Sequence, residues 1–118
     1  MKMPDHDDKP LIWLGNSRDR VRSFPPAARQ RSGFELRVIQ KGRDPSDWKP
    51  MADVGLGVRE LRIHTGDEFR VLYVAKFTEA VYVLHAFEKK TQRTDRDDIG
   101  LGKSRFRALV EMRKRIRK

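Results

Sequence analysis

The 118-residue chain is of single-domain length and carries 27 Lys and Arg against 17 Asp and Glu, a net charge of +10 that favours polyanionic partners. It has no cysteine, which excludes a disulfide framework and a thiolate zinc site. No apolar run is long enough to span a bilayer, and the opening MKMPDHDDKP lacks the apolar centre of a secretory leader; the expected compartment is the cytoplasm, with no membrane partner.

Residues 1–9 are polar and mixed in charge and read as a loose tail, followed by one domain over 10–118. Leu11-Ile12-Trp13-Leu14, closed by Gly15, has the continuous apolar character of a buried strand. Ser17 stands where it would cap a short helix through Phe24, which Pro25-Pro26 stops. Pro26 to Gln40 reads as a second helix, with proline at its start and Gly42 past its end. Gly33 interrupts its middle, where glycine costs about 1 kcal/mol relative to alanine.

Residues 42–57 carry repeated glycine and proline breaks and read as a long loop, in which Trp48 is free to stack on a base. Val58–His64 and Phe69–Ala75 then form a hairpin around Thr65-Gly66, with Phe69, Val71 and Tyr73 alternating onto one face. Ala80–Phe87 is apolar on both faces and so belongs in the middle of a sheet. Thr94 is placed to cap a last helix with Asp97 and Asp98 in its first turn. Phe106, Leu109, Val110 and Ile116 recur there at helical spacing, although Gly100 and Gly102 weaken the opening turns.

Residues 88–118 hold twelve Lys and Arg against five acids, a net +7 of the total. A basic helix is often only a solvated face, but here the cations continue into the strands. If Leu61 and Ile63 face the core, alternation sends Glu60 and Arg62 to the other side. Arg70 shares that side across the hairpin, and Lys89 and Lys90 emerge beside it. Arg93, Lys103 and Arg107 extend this surface along the last helix as candidate RNA contacts.

The available chemistry is narrow. His6, His64 and His85 have no ligand spacing, and neither a phosphate-binding glycine loop nor a serine nucleophile elbow is present. His85, within VLHAF, is either a satisfied core histidine or a site residue near Lys89. No metal and no cofactor is expected.

PLIWLG, SRDRVRSFPPAARQRSGFEL, GVRELRI and EFRVLYVAKFTEAVYVLHAFEKKTQRT, in that order, resemble the phage-derived Gp49-like proteins, a HigB-type branch of the RelE toxin superfamily, over about residues 10–116. The resemblance implies an α+β fold: a small, largely antiparallel sheet of about four strands, two N-terminal helices packed on it and a C-terminal helix. It further implies the toxin of a type II toxin–antitoxin pair, a metal-independent endoribonuclease that cuts mRNA in the ribosomal A site against ribosomal RNA. Its implied partner is a helix-turn-helix antitoxin. By the same resemblance Arg70 stabilises the phosphate, Arg62 lies near the attacking 2′-hydroxyl, and Lys89 and Lys90 serve the leaving side. Glu60 is the available general base, and His85, Lys90 or a ribosomal group the available acid. A non-catalytic basic protein that docks on RNA, DNA or an acidic partner is the alternative.

Overall fold

Two strands of matched alternation meet at Gly66, whose φ of 95° suits a residue without a side chain. These are β3 (Val58–Thr65) and β4 (Asp67–Val74), preceded by β1 (Leu11–Trp13), α1 (Ser17–Arg22), α2 (Pro26–Gln40) and β2 (Trp48–Pro50), and followed by β5 (Val81–Glu88) and α3 (Arg96–Ile116). The structure is a computed structural model that describes residues 8–116; of the tail expected over residues 1–9, residues 1–7 lie outside them. Lys9 is tied in, its N–H donating to Gln40 O at 2.9 Å and its Nζ to Ala75 O at 2.7 Å.

The sheet has the order β1-β5-β4-β3-β2. It corrects the expected strand count from about four to five; the sheet is mixed but largely antiparallel, β1 running parallel to β5 while the other pairings are antiparallel. β1 is a half-exposed edge rather than a buried strand. The additional strand, β2, lies in the stretch read as a loop. Three residues are too few to show alternation, and Pro50, which lacks an N–H, is tolerated because β2 is an edge. Two cap assignments also change. Ser17 donates to Val83 O at 3.2 Å instead of capping α1, and Asp95, not Thr94, accepts the Asp97 N–H at 2.7 Å at the start of α3.

Each face of the sheet has its own core. α1 and α2 cover Leu61, Ile63, Phe69, Val71, Tyr73 and Val83, while α3 covers Leu72, Val74, Tyr82 and Leu84 with Leu109. Gly102 is what lets α3 come close, since a Cβ there would lie 2.8 Å from Leu72 Cδ1 and 3.1 Å from Val54 Cγ1. Among the described residues no helix is long and apolar enough to cross a membrane.

One irregularity decides what faces α3. Leu72 pairs with His85 but Tyr73 with Val83, so Leu84 is an extra residue in β5. This bulge flips the alternation beyond it. Ala86 turns to the α1/α2 core and Phe87 to the α3 core. His85 and Lys89 follow Phe87 onto the side of Arg70.

Candidate active site

α3 covers only part of its face of the sheet; at the other end Arg62 and Arg70 sit directly opposite each other on β3 and β4. Like charges in that arrangement repel. They are held by Glu60, fully buried, whose Oε1 lies 3.5 Å from Arg70 Nε and 3.7 Å from Arg62 Nε. Lys49, paired with Glu60 across β2 and β3, adds a third cation at 3.8 Å. Lys89 is half-buried on the same side. Burial pushes its ammonium below the usual lysine range, the nearby Arg70, Lys49 and Arg62 push it further, and only Glu60 pulls it back.

The cluster leaves its donors and acceptors unused. Neither carboxylate oxygen of Glu60 has a hydrogen-bond partner, nor does the Nε of Arg62 or Arg70, although all four atoms are out of solvent. An unpaired buried polar atom costs about 1–3 kcal/mol, and native proteins keep few of them. The Arg70 side chain is only 4% exposed and donates its Nη1 to Phe69 O at 2.9 Å and to Glu68 Oε1 at 3.1 Å. Arg62, with 31% of its side chain exposed, is the more open of the two guanidiniums.

Glu68 links this cluster to His64. Its Oε1 accepts from His64 Nδ1 at 2.7 Å, while His64 Nε2 lies 2.6 Å from Asp47 Oδ2. A ring with carboxylates on both nitrogens is an imidazolium, because a neutral ring would aim a lone pair at one of them. The two carboxylates accordingly raise the His64 pKa above its ordinary value. His64 is thus a further cation at the rim, and its spacing from the other histidines gave no hint of it.

His85 is the opposite case. It is buried beneath α3, its Nε2 lies 2.7 Å from Asp98 Oδ1, its Nδ1 is 3.3 Å from Arg105 Nη1, and its ring stacks on Phe87. Arg105 can only donate, so Nδ1 accepts and the proton sits on Nε2. Burial, first among the causes, lowers its pKa. His85 is a buried group with a hydrogen-bond partner on each nitrogen.

The remaining candidates are spread more widely. Lys90 lines one cavity with Arg20, Phe24 and Phe69 and a second with Lys89. Arg93 shares a small cavity with Lys89 beside Asp95 and Asp98 at the start of α3. Lys103 and Arg107 are exposed on α3. Trp48 is not in a loop. It opens β2 opposite Leu61, on the α1/α2 side, with the Arg59 guanidinium 4.0 Å from its ring.

Lys49 was missed, and so was the residue that delivers it. Glu35, buried on α2, accepts from Ser46 N at 2.7 Å and Ser46 Oγ at 2.9 Å, which pins the segment leading into β2. The surplus of basic residues in the sequence did not point to Lys49, because its neighbours Asp47 and Pro50 carry no strand signal. Among the described residues no group of three or more His, Asp or Glu side chains is arranged to hold a metal ion.

This arrangement is a cluster of cations around one anion on an α+β scaffold. The model for Phage derived protein Gp49-like (DUF891) matches residues 19–107. The chain belongs to the Gp49-like family. The Gp49-like proteins are part of the toxin–antitoxin-like RelE superfamily and are associated with toxin endoribonuclease activity. The match runs from α1 into α3 and takes in Lys49, Glu60, Arg62, Arg70 and Lys89. No curated protein matches the chain.

Proposed function

We propose that this Gp49-like protein is a type II toxin that cleaves mRNA on the ribosome without a metal, acting in the cytoplasm and held in check by a helix-turn-helix antitoxin. The observation that carries the reading is the gathering of Arg62, Arg70 and Lys49 within 4 Å of the single carboxylate of Glu60, with Lys89 on the same side. Such an excess of fixed positive charge is matched by an anion that arrives, and pre-set cations are where charge stabilisation is strongest.

In this reading the RNA phosphate settles over Arg62, Arg70, Lys49 and Lys89. The 2′-hydroxyl passes its proton to a water molecule and its oxygen attacks the adjacent phosphorus. The bond to the 5′-oxygen breaks, that oxygen takes up a proton, and the products are a 2′,3′-cyclic phosphate and a 5′-hydroxyl. Arg62 and Arg70 meet the charge that builds on the phosphoryl oxygens. Glu60, enclosed by cations, keeps them together. Lys89, its ammonium weakened by burial, and the His64 imidazolium are the rim groups able to release a proton. Arg93, Lys103 and Arg107 steer the protein onto ribosomal RNA.

The test is inducible expression in a bacterium followed by mapping of mRNA ends. The reading expects growth arrest and new 5′-hydroxyl ends in phase with codons. Expression without arrest and without new ends contradicts it and leaves a basic protein that only binds.

A further inference from the structure

The sheet edge at β1 carries a second feature, on the side away from the cation cluster. A groove of about 530 Å³ opens between β1, α1 and α2, with Leu11, Trp13, Val21 and Leu36 in its lining. The same groove is edged by Arg18 and Arg22 of α1 and by Arg29 and Arg37 of α2, and no acid lines it. No carboxylate among the described residues pairs with any of these four arginines.

Their spacing is ordered. Arg18 and Arg22 are one turn apart on α1. Arg29, Gly33 and Arg37 form a single i, i+4, i+8 stripe on α2. Like charges at i, i+4, as in Arg18 and Arg22, weaken α1, and a mid-helix glycine weakens α2. Nothing inside the molecule explains Gly33, since a Cβ built there meets no atom within 4 Å. A bare backbone between two arginines makes sense if another backbone comes close to it.

We propose that this groove seats an amphipathic helix of a partner protein, with an apolar stripe set into the groove and Asp and Glu on its flanks meeting the four arginines. The aliphatic floor and Trp13 favour such a helix over RNA, whose phosphates would satisfy the rim and leave the floor unmatched. The proposal is independent of the cleavage reading. Under that reading the helix belongs to the neutralising protein, which grips the toxin from the face opposite the catalytic cluster.

The probe is a synthetic peptide of about 18 residues, roughly 27 Å as a helix, with Leu at i, i+3, i+4, i+7 spacing and Glu elsewhere. A counterpart carries Lys in place of Glu. The full-length Trp48→Phe protein reports binding through Trp13 fluorescence. The acidic peptide should shift Trp13 emission to the blue and saturate, and the basic peptide should not. Arg22→Glu with Arg29→Glu should weaken binding at least tenfold, while Lys89→Ala, at the other site, should leave it unchanged. Gly33→Ala should raise the melting temperature by roughly 3–6 °C yet weaken the peptide, and Gly33→Leu should abolish binding. No Trp13 shift, equal binding of both peptides, tighter binding by Gly33→Ala, or the same shift from a short single-stranded RNA would each overturn the proposal. Self-association that Arg22→Glu abolishes, with no peptide bound, would overturn it too.

Discussion

Glu60 and His85 lie on the same face of the same sheet, both buried, and they are held in opposite ways. His85 has a partner on each nitrogen and an aromatic ring beneath it. Glu60 has three cations within 4 Å and no hydrogen bond. The difference follows the cover. Where α3 lies on the sheet, every polar group has been satisfied from within. Where it does not, the polarity is left incomplete, which is how a fold keeps room for a ligand. Burial alone therefore does not separate structure from function here, and neither does an unpaired atom alone, since Ser32 Oγ and Tyr73 Oη on the α1/α2 side are unpaired too; the gathering of three cations on one carboxylate does.

The largest expected effect comes from removing the anion. Glu60→Ala leaves three cations facing one another and should cost about 3–5 kcal/mol, the range for breaking a buried ion pair, read from the urea midpoint. Unchanged stability would show that the cations do not need Glu60. His85→Leu should cost less, about 1–3 kcal/mol, because it strands the Asp98 carboxylate and an Arg105 donor. Its folded fraction should still cleave RNA at the wild-type rate, and a cleavage rate lowered at constant stability would move His85 into the site.

The two histidines should also separate by pH. His64 is raised above its ordinary value of about 6.5, so the stability it contributes is complete below 6.5 and is lost as pH climbs through the raised pKa. His85 is lowered, so its protonation opposes folding, and stability is gained as pH rises from the lowered pKa to 6.5. His64→Gln should abolish the decline above 6.5, and His85→Leu the decline below 6.5. Urea midpoints at pH 5.5, 7 and 8.5 give both signs, and parallel profiles for the two variants would sink the assignment.

The smallest effect belongs to the helix surface. Lys103→Glu with Arg107→Glu should move stability by less than about 0.5 kcal/mol. It should slow cleavage on ribosomes at low salt and lose that effect at high salt.

Much of the site was legible because it obeys alternation. Arg62 and Arg70 share a face for the reason that Leu61 and Val71 share the other, and a single hairpin fixes both. Pro26 and Gly42 likewise bracketed α2. The bulge at Leu84 was not legible, since one inserted residue leaves no mark in composition, yet it decides that His85 and Lys89 face α3 and the cluster. β2 was hidden by its shortness, and Lys49 with it. The LIWL run read as a buried strand because apolar residues serve both an interior strand and an edge that lines a groove. Gly102 looked like a weak point in α3 and is instead where the helix touches the sheet.

The most direct measurement is translation-coupled mRNA cleavage in a purified ribosome system, comparing wild type with Arg70→Ala after circular dichroism has established that both are folded. The account predicts cuts within the codon in the ribosomal A site for wild type and a rate at least about a hundredfold lower for the variant, the scale of losing one pre-set donor to transition-state charge. Equal cutting by the two proteins would contradict it.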